Sequence, residues 1–449
     1  TQIVLPAMPE PTALERAPRP TVRGKSLYVG DRKLIVKGVT YGPLGPGPDD
    51  GFDLDTVASD FRQMTEAGIN AVRLYSPPPR WLLDVAQAQG LLVMVGISWE
   101  QHIAFLDEPG RAAAIEATVR SAVRRTAGHA AVLCYAVGNE IPASIVRWHG
   151  RRQVERFLSR LCKAAREEDP TALFTYVNFP STEYLRLPEI DFLAFNVYLE
   201  RRDLLERYLA RLQNLADDRP LLLTEVGFDS RRNGAERQAD VLRWQIEACS
   251  AAGCAGLFVF AWTDQWHRGG HEILDWDFGL TTRERKQKPA FEAVREAFAP
   301  TAKISTAPAP RMSVVVCTHN GARTLRECLE AALAVHYPDY EVIVVSDGST
   351  DAAAEIARSY EGVRVIETPQ RGLAAARNTG MEAATGDIVA YIDDDAIADP
   401  DWLENLASTF AAGPFAAVGG PNVLPPGSNW VAECVANAPG GPTHVLTSD

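Results

Sequence analysis

Short apolar runs alternate with longer amphipathic stretches through roughly the first 300 residues of the chain. Apolar runs bounded by turn residues are typical of buried strands, and apolar residues spaced three or four apart indicate helices. The pattern predicts strands at 34–39, 71–74, 91–95, 132–137, 173–177, 192–196, 221–224 and 257–260. It predicts intervening helices at 54–66, 112–126, 152–168, 204–215 and 235–251.

Eight strands, most of them followed by a helix, favour an α/β fold of the (β/α)8 TIM barrel type. A doubly wound sheet alternates in the same way, but its first strand usually leads into a glycine-rich phosphate-binding turn. The sequence after the first predicted strand lacks that motif. We therefore predict a barrel over residues 25–298, preceded by an irregular arm at 1–24.

A second α/β pattern begins at Met312. It predicts strands at 313–320, 340–346, 363–367 and 387–392, and helices at 323–334 and 352–360. Between the two patterns, residues 299–311 contain small residues, three prolines and no periodicity, as expected for a linker. The chain is thus predicted to have two domains, the second at 312–449.

Composition narrows the class of protein. The sequence is 46% hydrophobic and 23% charged, as in soluble globular chains.

No apolar run approaches the roughly 20 residues of a membrane-spanning helix, and the first residues lack the apolar segment of a signal peptide. Seven cysteines without paired short spacings predict neither a disulfide framework nor a zinc site. We expect a location in the cytoplasm or on the cytoplasmic face of a membrane.

The negative charge is concentrated in the second domain. From Arg311 onward the chain has seven Arg, no Lys and 19 acidic residues, a net charge of −12 out of −13 for the whole chain. Nucleic-acid binding needs a basic surface, so this distribution disfavours a nucleic-acid partner. It is compatible with a bound divalent cation.

Functional residues of a TIM barrel lie at the carboxyl-terminal ends of its strands. Glu140 and Glu225 each follow a buried apolar strand, where an unpaired charge is costly. Retaining glycoside hydrolysis uses one protonated and one ionised carboxyl about 5–5.5 Å apart. The other predicted strand ends carry the amide, cationic and aromatic groups of a sugar site: Tyr41, Arg73, Trp99, Asn139, Asn178, Asn196, Tyr198 and Trp262.

Three motifs carry a resemblance to a known enzyme family: Gly-Ile-Asn-Ala-Val-Arg-Leu-Tyr at 68–75, Gly-Asn-Glu at 138–140 and Thr-Glu-Val-Gly at 224–227. They resemble the barrel of clan A glycoside hydrolases, most closely family 2, the β-galactosidase and β-glucuronidase group. The resemblance covers roughly residues 33–298 and implies a retaining β-glycosidase or transglycosylase that needs no cofactor. The β-sandwich domains that precede the barrel in that family are missing from this sequence, so an exo preference is not implied.

The resemblance also implies roles for single residues. Glu140 would be the acid/base, Asn139 the contact to the sugar 2-hydroxyl, and Glu225 the nucleophile. Tyr198 would donate a hydrogen bond to the nucleophile, and Arg73 would support it electrostatically. Trp262 would form a platform on which the sugar stacks.

Other interpretations stay open for several residues. Arg73 could anchor the barrel by pairing with a carboxylate. Trp99, Glu100 and His102 could line a sugar subsite, although a solvated loop explains His102 better. The loop after the eighth strand is rich in aromatic and histidine residues, which favours sugar stacking over a metal site. Its members are Trp262, Trp266, His267 and His271, with Asp264, Asp275 and Asp277 nearby.

Acidic residues also end two strands of the second domain. The run Asp393–Asp395 follows the strand at 387–392, and three adjacent carboxylates repel one another unless a cation is present. Mg²⁺ or Mn²⁺ bridging to a diphosphate would supply that charge. Asp347 ends another strand, where it could accept a hydrogen bond from a nucleoside. Arg371 and Arg377 could neutralise phosphates.

Three motifs of the second domain resemble family 2 glycosyltransferases of the Rossmann-like GT-A fold: Val-Ser-Asp-Gly-Ser-Thr-Asp at 345–351, Gly-Leu-Ala-Ala-Ala-Arg-Asn-Thr-Gly at 372–380 and Tyr-Ile-Asp-Asp-Asp at 391–395. The resemblance implies a nucleotide-sugar donor, and we expect this donor to be a UDP-sugar. It implies that Thr318, Asn320 and Asp347 hold the nucleotide. Asp393 and Asp395 would form the family's Asp-x-Asp element, with Asp395 the foremost metal ligand.

This second resemblance covers only the nucleotide-binding half of the transferase fold. The family's catalytic base and its acceptor-site Gln-x-x-Arg-Trp motif are not visible before Asp449, so we expect the domain to be truncated. Such transferases often continue into membrane helices. Contact with a membrane is therefore expected only through segments that this chain lacks.

The sequence predicts a hydrolase or transglycosylase barrel acting on a β-linked oligo- or polysaccharide, fused to a nucleotide-sugar-dependent glycosyltransferase. Both activities on one chain suggest polysaccharide or glucan synthesis and processing. The alternative, from a different functional class, is a non-catalytic barrel that binds glycan and positions it for the transferase.

Overall fold

The computed structural model describes residues 18–47, 50–299, 309–420 and Val431, which fall into two compact units. In the first unit, eight parallel strands close into a barrel in sequence order, and the eighth pairs with the first. The predicted TIM barrel is confirmed, with each strand within a few residues of its expected position. The strands are β1 (Val36–Thr40), β2 (Ala71–Leu74), β3 (Leu92–Gly96), β4 (Val132–Asn139), β5 (Phe174–Asn178), β6 (Leu193–Asn196), β7 (Leu221–Val226) and β8 (Gly256–Val259).

Amphipathic helices cover the outside of the barrel. They are Leu54–Glu66, Arg80–Ala88, Pro109–Thr126, Ala143–His149, Arg151–Glu168, Arg202–Ala216, Ser230–Asn233, Ala235–Ala251 and Pro289–Phe298. The connection after β5 differs, because a single 3-10 turn, Pro180–Thr182, stands where the other strands have an α-helix. The Asp191 carboxylate accepts a hydrogen bond from the Phe174 backbone N–H at 2.6 Å, which ties the end of this irregular segment to the start of β5.

A small antiparallel sheet covers the amino-terminal end of the barrel. Its strands are Pro20–Arg23, Ser26–Val29 and Arg32–Leu34. Leu27 is fully buried and packs with side chains at the starts of the barrel strands. The predicted irregular arm is wrong for residues 20–23, because Val22 pairs with Leu27 and packs against the same core. Residues 1–17 of the predicted arm lie outside the described residues.

The second unit has a four-stranded parallel sheet. Its strands are β9 (Met312–Thr318), β10 (Tyr340–Asp347), β11 (Val363–Thr368) and β12 (Ile388–Asp393), in the order β11-β10-β9-β12. The helices are Leu325–Leu333, Ala353–Arg358, Leu373–Ala383 and Trp402–Ala412. Every residue of β9 is buried, as its continuous apolar run predicts for a central parallel strand. This arrangement agrees with the predicted α/β domain.

Two predictions fall largely outside the described residues. Of the predicted linker at 299–311, residues 300–308 are not described, and of the segment 421–449 only Val431 is described. Among the helices that are described, none combines the length and apolar character needed to cross a membrane.

Candidate active site

Glu225 lies on β7 and accepts hydrogen bonds from four side chains of other barrel strands and loops. Its Oε1 accepts from Arg73 Nη1 at 2.7 Å and from Tyr75 Oη at 2.8 Å. The same oxygen accepts from Asn196 Nδ2 at 2.8 Å, while Oε2 accepts from Tyr198 Oη at 2.7 Å. Glu225 is only 7% exposed, so the guanidinium of Arg73 compensates a carboxylate that is largely removed from water.

Asn196, at the end of β6, joins the two candidate carboxylates. Its Nδ2 lies 2.8 Å from Glu225 Oε1 and 2.9 Å from Glu140 Oε1. These two oxygens cannot be farther apart than the sum of the two distances, which is compatible with the roughly 5–5.5 Å carboxyl separation of retaining glycosidases. The amide orientation is fixed, because Asn196 Oδ1 accepts from Thr224 Oγ1 at 2.8 Å and from Arg73 Nη1 at 3.1 Å.

Glu140 follows β4 in a left-handed backbone conformation, with φ of 52°. Left-handed backbone costs a non-glycine residue about 1–2 kcal/mol, and such strain concentrates at functional sites. Burial and the negative charge of Glu225 raise the pKa of Glu140, against the opposing effect of the Asn196 hydrogen bond and Arg73. A raised pKa keeps more of the carboxyl protonated and suits a proton donor.

Asn139 precedes Glu140 and belongs to the same network. Its Oδ1 accepts from Arg73 Nη2 at 2.8 Å and from Asn196 Nδ2 at 3.2 Å. Its backbone N–H donates to Gln101 Oε1 at 2.9 Å, which links β4 to the loop after β3. Arg73 therefore contacts residues of β4, β6 and β7 at once, and it both anchors the barrel and supports Glu225.

In the second unit, Asp347 ends β10 and holds the loop that precedes the helix Leu373–Ala383. Its Oδ1 accepts from the Arg371 backbone N–H at 2.8 Å and its Oδ2 from that of Gly372 at 2.7 Å. The Arg371 N–H in particular, together with that of Gly372, lowers the pKa of Asp347 although burial opposes the shift. Asp347 thus forms an ordered, ionised acceptor at the carboxyl-terminal edge of the sheet.

Thr318 and Asn320 have contacts within the protein at the same edge. Thr318 is 2% exposed, and its hydroxyl donates to the Asp394 carboxylate. Asn320 Oδ1 accepts from the Thr350 backbone N–H at 2.8 Å, which joins the loops after β9 and β10. The near-complete burial of Thr318 leaves it little surface for a direct nucleotide contact, so its geometry fits a role in positioning Asp394.

The acidic run at the end of β12 is open to solvent at Asp393 and Asp395. Asp393 Oδ1 accepts from Arg377 Nη2 at 3.0 Å, and the Arg371 side chain bonds Thr379 Oγ1 at 3.2 Å. Nowhere in the described parts of the chain do three or more potential protein ligands form a metal site. Two exposed carboxylates still fit Mg²⁺ or Mn²⁺, because such a hard cation completes its coordination with water and phosphate oxygens.

Comparison with known proteins identifies the family that each unit matches. A model described as "Glycosyl hydrolases family 2, TIM barrel domain" matches residues 21–245, which is just over half of the chain. The chain belongs to glycoside hydrolase family 2. A second model, "Glycosyl transferase family 2", matches residues 313–432, so this family 2 barrel is fused to a glycosyltransferase domain. Domains of the latter family commonly use a divalent metal.

Solved structures of other family 2 proteins share the barrel fold. A β-glucuronidase from Ruminococcus gnavus in complex with uronic deoxynojirimycin has a TM-score of 0.55 at 18% identity, covering 62% of this chain and 52% of that one. A β-galacturonidase from Eisenbergiella tayi bound to galacturonate has a TM-score of 0.53 at 18% identity, covering 62% and 53%. At this identity the likeness shows the fold alone.

Curated relatives match the transferase domain of this family 2 chain. Glucosyl-dolichyl phosphate glucuronosyltransferase from Haloferax volcanii is 36% identical over 129 residues, 27% of this chain and 40% of that protein. The putative glycosyltransferase EpsH from Bacillus subtilis is 38% identical over 104 residues, 22% and 30% of the two chains. The chain spans less than half the length of these relatives.

One predicted residue of the family 2 site is misplaced. Trp262 was expected to form a sugar-stacking platform, but its side chain has no exposed surface and packs edge-on to Phe291 of the last barrel helix, with 6.0 Å between ring centroids. The prediction is wrong because the chain beyond β8 continues beside β1, where the Trp262 backbone N–H donates to the Thr40 carbonyl at 3.0 Å. The aromatic side chains beside Tyr198 are instead Phe260 and Phe278, at 6.3 and 6.1 Å between centroids.

The loops singled out in the family 2 barrel have mainly structural contacts. Asp264 pairs with Lys288 at 3.1 Å and Asp277 with Arg283 at 2.9 Å, so ion pairs account for these two carboxylates. Trp99 donates from Nε1 to the Val137 carbonyl at 2.8 Å and is partly buried. His102 is exposed, as the solvated-loop interpretation expects.

Tyr75 was missed as a functional residue, and Asn196 was named only as one of the strand-end groups of a sugar site. Tyr75 bonds Glu225 directly, and burial raises its pKa well above the ordinary value, so it remains a neutral donor. Its position two residues after Arg73 was a signal, because residues i and i+2 of an extended segment point the same way. Asn196 was noted as a strand-end amide, but its contacts come from other strands and have no signal in the local sequence.

Proposed function

We propose that the barrel is a retaining β-glycoside hydrolase or transglycosylase, with Glu140 as the acid/base and Glu225 as the nucleophile. The observation that carries this proposal is the amide of Asn196, whose nitrogen lies within 2.9 Å of one oxygen of each carboxylate. The environments of the two carboxylates differ. Burial raises the pKa of Glu140, whereas Glu225 accepts four hydrogen bonds, one of them from a guanidinium. Double displacement needs such a pair of unlike carboxyl groups.

In the first step, a Glu225 oxygen bonds to the anomeric carbon as the bond to the leaving oxygen breaks. Glu140 gives its proton to that leaving oxygen. In the second step, Glu140 takes a proton from water, the water oxygen bonds to the anomeric carbon, and the ester to Glu225 breaks. A sugar hydroxyl in place of water gives transglycosylation by the same route.

Neighbouring residues position these groups. Arg73, Tyr75 and Tyr198 fix both oxygens of Glu225 before substrate arrives, which supplies preorganised electrostatic support. We assign Asn139 the contact to the sugar 2-hydroxyl, because it lies beside Glu140 and is oriented by Arg73. The proposed substrate is a β-linked oligo- or polysaccharide.

For the second domain we propose nucleotide-sugar-dependent glycosyl transfer, with a UDP-sugar as donor. Asp347 and Asn320 would order the nucleoside side, and Arg371 and Arg377 the phosphate side. Asp393 and Asp395 would hold Mg²⁺ or Mn²⁺, which would neutralise the diphosphate. We place the donor reaction in the cytoplasm or on the cytoplasmic face of a membrane, because nucleotide sugars are cytosolic.

The two activities on one chain support a role in polysaccharide or glucan synthesis and processing. In this role the transferase extends a glycan, and the barrel trims or rejoins it.

The barrel proposal is tested with activated aryl β-glycosides and β-glucan oligosaccharides, with the anomeric configuration followed by proton NMR. We expect release of a product that retains the β configuration, and a loss of at least about 10³-fold in turnover for Glu225→Gln. Glu206→Gln, on an outer helix and 50% exposed, is a matched control that keeps wild-type turnover. Glycan binding by both proteins without turnover on any substrate would instead support a glycan-binding barrel.

The transferase proposal is tested by titrating UDP into the full chain by calorimetry, with Mn²⁺ and with EDTA. We expect binding that requires Mn²⁺ and is lost in Asp395→Asn. Asp339→Asn, at an exposed ion pair with Arg311 away from the acidic run, is the control. Equal affinity with Mn²⁺ and with EDTA would contradict the metal assignment.

A further inference from the structure

Three exposed aromatic side chains lie on the carboxyl-terminal face of the barrel. Among the barrel residues that the structure describes, Trp148, Tyr184 and Tyr198 are the aromatic residues more than a third exposed, at 70%, 38% and 41%. They follow β4, β5 and β6, three successive strands whose loops lie on the functional face of a TIM barrel. Tyr198 bonds Glu225, so the series begins at the carboxylate pair and continues outward.

Trp148 is the most exposed of the three, yet its indole edge is fixed. It lies on the helix Ala143–His149, and its Nε1 donates to the two carboxylate oxygens of Asp107 at 3.0 and 3.1 Å. The next residue, His149, is buried against Phe105 with 4.9 Å between ring centroids. An indole held at its N–H edge with its faces open suits stacking against the apolar side of a sugar ring.

The backbone brings Trp148 close to Tyr184 and to the carboxylate pair. The helix Ala143–His149 packs against the turn Pro180–Thr182, which ends two residues before Tyr184. Asn178 at the end of β5 fixes this turn, because its Oδ1 accepts from Thr182 Oγ1 at 2.6 Å. The chain between Glu140 and Trp148 includes five helical steps of about 1.5 Å, so their Cα atoms lie within about 20 Å.

We infer that Trp148, with Tyr184 beside it, forms a carbohydrate-binding subsite on the leaving-group side of the cleaved bond. The substrate is then a β-linked oligo- or polysaccharide that extends past this bond, and the same subsite receives the acceptor in transglycosylation. The inference rests on the proposed role of Glu140. An acid that protonates the leaving oxygen faces the leaving group, and Trp148 is on the loop that carries Glu140.

The test compares kcat/KM for β-1,3- and β-1,4-linked glucose hexasaccharides with kcat/KM for 4-nitrophenyl β-glucoside, whose single-ring leaving group extends less far past the cleaved bond than the hexasaccharides do. We expect the ratio of hexasaccharide to aryl glycoside to fall about tenfold or more in Trp148→Ala and to be largely restored in Trp148→Phe, which keeps an aromatic face. Ile35→Ala is the control, since Ile35 is 45% exposed but precedes β1 at the opposite end of the barrel. An unchanged ratio in Trp148→Ala overturns the subsite.

A binding measurement separates failure of the subsite from failure of the proposed hydrolase. The hexasaccharides are titrated by calorimetry into Glu225→Gln with and without Trp148→Ala. Binding that weakens about tenfold in the double variant supports the subsite even if no substrate is turned over, in which case the hydrolase proposal falls alone. Turnover of the aryl glycoside with hexasaccharide binding that does not depend on Trp148 overturns the subsite and leaves the hydrolase standing.

Discussion

The two units of this protein hold their acidic residues in opposite ways. In the barrel, Glu225 is 7% exposed and receives hydrogen bonds from side chains after β2 and β6 as well as from Arg73. In the second unit, the Asp393 side chain is 62% exposed and pairs with a partly exposed Arg377. The hydrogen-bonded barrel site is thus fixed by the protein itself, whereas the acidic run of the second unit retains exposed oxygens, which our proposal assigns to a cation and a diphosphate.

The difference indicates which structural elements fix the positions of the side chains in each site. The ends of four strands, β2, β4, β6 and β7, converge on the barrel carboxylates, so the closed sheet itself sets the geometry. The four-stranded sheet is open, and among its described neighbours β12 pairs only with β9. Asp347 orders the loop at Arg371 and Gly372, and in the proposed function the charge of the acidic run is balanced by bound ligands.

Arg73→Met should give the largest loss of stability in this comparison. It leaves the buried Glu225 without its cationic partner, and breaking a buried ion pair costs about 3–5 kcal/mol. Urea unfolding of the full chain, followed by hydrogen–deuterium exchange resolved by peptide, reports each unit separately. We expect the loss in the barrel peptides only, and a barrel of unchanged stability would show that the pair is not a structural anchor.

Asp347→Asn should lower UDP affinity in the presence of Mn²⁺ by about 10- to 100-fold. The asparagine amide cannot accept hydrogen bonds from the backbone N–H groups of both Arg371 and Gly372. The loop that contains these two residues, which we propose binds the nucleoside, is then less ordered. Calorimetry of the full chain measures the change, again with Asp339→Asn as the matched control. If Asp347→Asn binds UDP with wild-type affinity, Asp347 is not part of the nucleotide-binding site.

Glu140→Gln should stabilise the barrel at neutral pH and not at acid pH. Burial and Glu225 raise the pKa of Glu140, so the stability associated with its protonated form is lost as pH rises through the folded-state pKa. Glutamine stays neutral, so the melting temperature of the variant exceeds that of wild type at pH 7 and meets it near pH 4.

Glu168→Gln is expected to show the opposite dependence of stability on pH and therefore tests the direction of the pKa shifts. The hydrogen bond from Arg124 lowers the pKa of Glu168, so its stabilising effect is present at neutral pH and lost as pH falls. This variant should melt below wild type at pH 7. A melting difference of the same sign for both variants would contradict the assigned pKa directions.

Arg377→Met should have the smallest effect on stability, at most about 1 kcal/mol, because both partners of its ion pair are substantially exposed. Like Arg73→Met, this variant replaces an ion-paired arginine with methionine, but at a solvent-exposed site. The same unfolding measurement detects its effect. A loss as large as that of Arg73→Met would end the contrast between the two units.

Much of the barrel could be predicted from sequence because strand order and chain order coincide in this fold. Helices Leu54–Glu66 and Ala235–Ala251 have the predicted bounds, and Glu140 and Glu225 were singled out as candidates because each follows an apolar strand. No helix was predicted between the fifth and sixth strands, and the structure has only the 3-10 turn Pro180–Thr182 there, whereas the helix Arg80–Ala88 was not predicted.

The site was harder to predict where contacts cross the barrel. The shared amide of Asn196 depends on the relative height of β4, β6 and β7, which register shifts within these pairings determine. Trp262 has the residue type of a platform, but its position relative to the barrel axis depends on how the chain leaves β8. Local sequence specifies the chemical groups, and strand register decides which of them meet.

The left-handed backbone at Glu140 bears on how this barrel could change over evolutionary time. Glycine or asparagine would adopt that conformation with less strain, so a glutamate there costs folding stability, and the proposed acid/base role would explain why it is kept. A descendant released from catalysis would gain about 1 kcal/mol by accepting either residue. The identity of the residue at this one position would then distinguish an active lineage from one that retains the barrel only as a scaffold.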